Sequence, residues 1–261
     1  MDQQTDPTTR AEALITQAAG HMRAPGLAAA VIYQGQLALV VEHGSATPEA
    51  RFRLGPLTQV ITALAVLRLA AEGLINLDAP VNSYLQTLQI DSPAPVTARH
   101  LLSHTAGLGA AQSVWRVVRG APTVRAGETP PTVPDYFGGR VRAHTMPGSK
   151  WRYTADGYAI LGQMIADLTG RSFDVYAHQA IFEQMHLRGA SFAPPDDALR
   201  GHVRAGKRAR PTDLMDTPLR AAVGAWASLD DLIRLTGALL DHGRTPDHAA
   251  LPPKAVDMLY T

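Results

Sequence analysis

The sequence predicts a mixed α/β (α+β) domain, and three stretches carry that expectation. Residues 57–73 repeat apolar side chains at helical spacing (Leu57, Val60, Ile61, Leu64, Leu67), with Ala63, Val66, Leu69, Ala70 and Ala71 filling most of the remainder. Such a helix is apolar over most of its circumference and belongs inside a domain. Residues 27–33 and 36–42 are apolar runs joined by Gln34-Gly35, the pattern of a β-hairpin. Residues 157–168 form a second helix, amphipathic, with Tyr158, Leu161, Ile165 and Leu168 in one stripe.

In chain order, Thr8 or Thr9 is placed to cap a first helix from about Arg10 to Met22, and Pro25-Gly26 breaks it before the hairpin. A polar loop, 44–51, leads to the central helix. Gly55 makes the turn, Pro56 takes the first helical position and Gly73 the stop, while Thr58, Thr62, Arg68 and Glu72 share one polar stripe. Residues 109–148 are rich in Gly, Pro and Arg without periodicity and read as a long irregular excursion.

Composition narrows the function classes. The 261 residues are 46% apolar and 18% charged, with a net charge of +1, an ordinary globular balance with no electrostatic case for nucleic acid or a membrane surface. Cysteine is absent, which excludes disulfides, thiolate nucleophiles and Cys-bound metal. The N-terminus lacks the basic and apolar regions of an export signal, so a cytoplasmic location is the expectation.

Five segments in the same order resemble the family of serine β-lactamases, penicillin-binding proteins (DD-peptidases) and class C-like serine esterases. The first runs from Phe52 to Leu85 and matches F-R-x-G-S-x-T-K followed by E-G-x-L-x-L-D-x-P-V-x-x-Y-L at Phe52, Arg53, Gly55, Thr58, Glu72, Gly73, Leu77, Asp78, Pro80, Val81, Tyr84 and Leu85. The others are VTARHLLSHTAGL (96–108), PGSKWRYTADGY and its helix (147–173), IFEQMHLRGASF (181–192) and AAVGAWASLDDL (221–232). The resemblance implies a β-lactamase/transpeptidase-like fold, a helical region packed on an antiparallel sheet. It implies one domain over 1–261: helix and hairpin to about 50, a mainly helical region over 51–240, and a C-terminal segment over 241–261. It also implies that the chain covers roughly the first two thirds of a family domain. The sheet is then expected to be incomplete: the chain is either a fragment or a protein whose sheet is finished by a second copy or a partner chain.

The resemblance fails where the family does its chemistry. Pro56 stands at the serine nucleophile, Gln59 at the lysine, and Ala155 at the amide of the Tyr-x-Asn motif, whose tyrosine survives as Tyr153. Trp115, His104 and Trp226 are expected to line the cleft. Acyl transfer needs a hydroxyl with a base in hydrogen-bond reach, and no Ser or Thr precedes a lysine by three: those positions hold Pro147, Arg204 and Leu251. Losing a serine nucleophile costs on the order of 10⁶ in kcat in the protease case. The implied protein is a pseudo-hydrolase whose non-acylating cleft takes a small-molecule ligand or a partner. Two alternatives stay open: a noncovalent biosynthetic isomerase or cyclase with Tyr153 as acid or base, and an inactive structural subunit. His100 and His104, four apart, have helical zinc-ligand spacing but no accompanying carboxylate, so neither metal nor other cofactor is expected. Trp115, Arg116, Arg119 and Arg125 could bind an anion, although a solvated loop is the better reading.

Overall fold

The chain enters the fold through α1 (Pro7–Met22). Asp6, not Thr8 or Thr9, caps it: its carboxylate accepts the Thr9 N–H at 3.3 Å, and Pro7 fills the first helical position. The helix therefore starts three residues before the expected Arg10. The computed structural model describes residues 6–109, 123–205 and 208–260.

The hairpin forms as expected, from β1 (Gly26–Tyr33) and β2 (Gln36–Gly44). Gln34 and Gly35 both take positive φ, +51° and +76°, as a two-residue hairpin turn of this hand requires. A bulge between Val31 and Ile32 shifts the register. Helix α1 packs against the hairpin, while Val31, Tyr33 and Leu37 stay exposed.

After β3 (Phe52–Arg53) comes a 3₁₀ turn, Gly55–Leu57, and then α2 (Thr58–Ala71). Pro56 thus sits in the lead-in turn instead of at the first α-helical position. Ile61, Leu64, Ala65, Val66 and Leu69 are almost inaccessible to water, and Gly73, at φ +76°, turns the chain away. The polar stripe of α2 is buried at Thr58 and Thr62, half-buried at Arg68 and exposed at Glu72. Thr58 Oγ1 accepts the Ala225 N–H at 3.0 Å, Thr62 Oγ1 donates to the Ala221 carbonyl at 2.6 Å, and Arg68 donates to the Ala180 carbonyl and to Glu72. The bonds from Thr58, Thr62 and Arg68 to backbone groups clamp α2 to its neighbours.

Short elements follow: β4 (Gln89–Asp91), α3 (Ala98–Leu102), β5 (Val124–Arg125), α4 (Val133–Phe137) and β6 (Arg140–Arg142). The described part of 109–148 is largely irregular, as expected, but carries three short elements, β5, α4 and β6. A helix of five residues is too short to show a period, yet Thr132 and Asp135 form a capping box around it and Gly138 ends it at φ +68°. Helix α5 (Ala155–Thr169) is capped by Thr154, and α6 (Phe173–Ala177) runs into a π-helical turn over His178–Phe182. Beyond them lie β7 (His202–Ala205), β8 (Arg208–Pro211), β9 (Met215–Asp216), α7 (Arg220–Val223), β10 (Trp226–Ala227), α8 (Leu229–Leu240) and α9 (Pro253–Asp257).

The fold is α/β in content, as expected, but its described strands form five two-stranded ladders and no continuous sheet. Four ladders are antiparallel, and β4 pairs with β6 in parallel, since a long crossover separates them. The core is helix on helix: α5, α6, α7 and α9 pack around α2, and α8 packs on β1. Arg220 anchors α7 by a bidentate bond to Asp216 and a further one to Asp174 of α6. Burial pushes the Asp174 carboxyl up, against the pull of Arg220. Among the described residues no helix is long and apolar enough to cross a membrane.

Close approach of α5 to α7 depends on Gly162, where an added Cβ would lie 2.5 Å from that of Ala221. Gly162→Ala should destabilise the protein by about 1–3 kcal/mol through overpacking, reversing the gain of about 1 kcal/mol that Ala gives in an open helix. Urea unfolding checks this. Adding Ala221→Gly should recover part of the loss, and a stabilised single variant would contradict the packing described.

Candidate functional site

The site begins at the first turn of α2. Gly55, at φ +54°, reverses the chain so that Pro56 and Leu57 remain exposed while Thr58 and Gln59 turn inward. The turn uses up its own backbone donors: the Leu57 N–H bonds to the Leu54 carbonyl at 3.2 Å, and the Thr58 N–H points at the Gly55 and Pro56 carbonyls. Pro56 has no N–H to offer. Gln59 is only 7% exposed, and its Nε2 donates to the Tyr153 hydroxyl at 2.9 Å.

Tyr153 arrives on a stretch held to the 104–107 turn by backbone bonds, Arg152 N–H to the His104 carbonyl and Gly148 N–H to the Thr105 carbonyl, both at 2.8 Å. His104 itself has φ +57°, a left-handed conformation that histidine tolerates better than most residues. This turns its ring into an aromatic group. The His104 centroid lies 4.8 Å from Tyr153, 5.2 Å from Tyr158 and 6.2 Å, edge-on, from Trp151. Burial pushes the His104 imidazole below its usual range, and Nδ1 accepts a long bond, 3.5 Å, from the Thr154 N–H. The neutral ring then carries its proton on Nε2. Tyr158 donates to the Leu102 carbonyl at 2.9 Å, and burial pushes its phenol up to about 12. Behind Tyr153, Ala155 opens α5 and presents only a methyl group.

The structure brings Gln59, Tyr153 and His104 together, with Pro56 one turn before Gln59 and Ala155 two residues after Tyr153. Trp226 is not part of this group. It is 3% exposed, pairs across from Arg53 in the β3–β10 ladder, and lines a separate cleft of about 400 Å³ with Phe52, Arg53 and Met215. Trp115, with Arg116 and Arg119, lies outside the described residues. His100 and His104 part company as well: His100 Nδ1 accepts the Thr97 N–H in the capping box of α3. Among the described residues no three His, Cys, Asp or Glu side chains are grouped to hold a metal ion.

Two residues of the site, Trp151 and Tyr158, carried no functional assignment from the sequence. The W-x-Y spacing around Arg152 was the available signal, since alternate residues of a non-helical stretch can share a face. The whole arrangement offers hydrogen bonds and aromatic surface. The hydroxyl of Tyr153 meets an amide, which accepts no proton near neutral pH.

Comparison with known proteins places this geometry. The Beta-lactamase family model matches residues 11–260. The chain is 30% identical over 241 residues to Esterase EstB of Burkholderia gladioli, covering 83% of this chain and 60% of the esterase. It is 28% identical over 254 residues to a D-aminopeptidase of Gluconobacter oxydans, covering 87% of this chain and 44% of that protein. The chain thus spans about half the length of these relatives, somewhat more for the esterase. Among solved structures, an octameric penicillin-binding protein homologue from Pyrococcus abyssi superimposes with a TM-score of 0.78 at 23% identity, over 98% of this chain and 60% of that one. The hydrolase EstCE1 gives 0.79 at 19% identity, over 95% and 75%.

The depressed His104 sets a pH dependence. The fold favours the neutral ring, so below the ordinary value of about 6.5 the unfolded chain binds more protons than the folded one, and stability is lost as pH falls. The difference in urea midpoint between the native protein and His104→Gln should shrink between about pH 8 and about pH 5. A difference constant over that range would contradict the neutral, half-buried ring.

Proposed function

The chain belongs to the β-lactamase family, and on that premise we propose that its site holds a small acyl-type ligand through Tyr153 without forming an acyl-enzyme. The observation that carries the proposal is the 2.9 Å bond from Gln59 Nε2 to the Tyr153 hydroxyl. In a serine acyltransferase this neighbourhood must strip a proton from a nucleophile. An amide accepts no proton near neutral pH. Here it donates to the phenol oxygen, which leaves the phenol O–H free to donate to a ligand carbonyl.

The first turn of α2 supports the same reading. Stabilising an oxyanion takes backbone N–H groups aimed at it, but Pro56 has none, and those of Leu57 and Thr58 point at carbonyls of their own turn. The ligand class comes from the relatives, whose names span an esterase, a D-aminopeptidase and a penicillin-binding protein. Each name implies an ester, amide or lactam carbonyl, and the proposal keeps recognition of that group while omitting its cleavage.

Intact-protein mass spectrometry after incubation with penicillin-type and fluorophosphonate probes tests the proposal. The expected result is an unshifted mass. A stoichiometric adduct mapped to any serine would overturn the noncovalent reading. Pro56→Ser combined with Gln59→Lys should also remain unlabelled, because Ala155 still provides no polar contact to an acyl group.

A further inference from the structure

The aromatic side chains around Tyr153 define a surface with its own preference. Trp151 is 69% exposed and Tyr153 43% exposed, and the His104 ring contacts both. Exposed Pro56 and Leu57, the latter 56% exposed, add apolar surface at the start of α2, where Gln59 bonds to Tyr153. Exposed apolar surface gathered at a polar anchor marks a binding site more often than single exposed residues do. Aromatic rings favour flat partners, which stack offset or edge-to-face against them.

Charge narrows the occupant further. Gln59, Tyr153, Trp151 and the neutral His104 carry none, so an ion leaving water at this point would find no opposite charge among them. The chain neighbours of Trp151, Lys150 and Arg152, are exposed cations that oppose a cationic ligand, and being solvated they give an anion only a screened attraction that falls short of its desolvation cost. We infer that Trp151, His104 and Tyr153 form a stacking wall that selects an uncharged, planar aromatic carbonyl compound, whose oxygen accepts the Tyr153 O–H. The inference rests on the noncovalent reading of Tyr153 given above and names the ligand class for that same site.

Binding of three probes, 2-naphthamide, 2-naphthoate and cyclohexanecarboxamide, tests it by NMR titration of the ¹⁵N-labelled protein. The indole N–H signal of Trp151 is assigned by its loss in Trp151→Leu, a substitution that keeps apolar bulk at an exposed position. The expected order has 2-naphthamide binding most tightly, with its affinity falling about 10-fold in Trp151→Leu while cyclohexanecarboxamide changes little. Tighter binding of 2-naphthoate, indifference to Trp151→Leu, or no binding of any probe would overturn the inference. Tyr153→Phe separates the two claims. If 2-naphthamide keeps its dependence on Trp151 but ignores Tyr153→Phe, the hydrogen bond and the function built on it fail while the stacking preference stands.

Discussion

The first turn of α2 is fixed from two sides, and the rest of the molecule is arranged around that constraint. Thr58, fully buried, accepts a backbone N–H from Ala225 on one side, and Gln59 reaches Tyr153 on the other. A buried polar group must be paired or it destabilises the fold by about 1–3 kcal/mol, so neither residue can turn away without loss. The helix behind them is the centre of the core, with α5, α6, α7 and α9 against it. Core and site therefore share one rigid element, and the functional side chains inherit its order.

That arrangement lets positions 56 and 59 vary without disturbing the fold. Thr58 and Thr62 hold α2 to the 221–225 segment whichever residues occupy positions 56 and 59. Pro56 fits its exposed turn because φ there is already compatible and no N–H is needed. Gln59 fills the space beside Tyr153 with a group that can still donate a hydrogen bond but brings no charge into a largely buried position. On the proposed reading, the family's scaffold is kept and its proton chemistry is exchanged for recognition.

The sequence made the long elements legible and left the pairings between them hidden. The hairpin, α2 and α5 announce themselves by period and turn chemistry, and they appear within a few residues of where they were expected. The start of α1 differed because Asp6 and Pro7 supply a cap that the search for Ser or Thr passed over. The segment 133–137 was invisible because five residues give no period, although its Thr132–Asp135 box was readable in retrospect. Gln59 and Tyr153 are separated by 94 positions, and nothing local says that an amide is the partner of that phenol. Trp226 lies outside the Tyr153 group, buried in the β3–β10 ladder at the edge of a second cleft, a placement that no local pattern in 221–232 announces.

The central claim is that the Gln59 amide occupies the Tyr153 oxygen. Hydrogen exchange of the Gln59 side-chain amide, followed by NMR in the native protein and in Tyr153→Phe, tests it most directly. The account predicts a protected Nε2 proton in the native protein that becomes fast-exchanging when the phenol oxygen is removed. An amide that exchanges like an exposed glutamine in both proteins would contradict it.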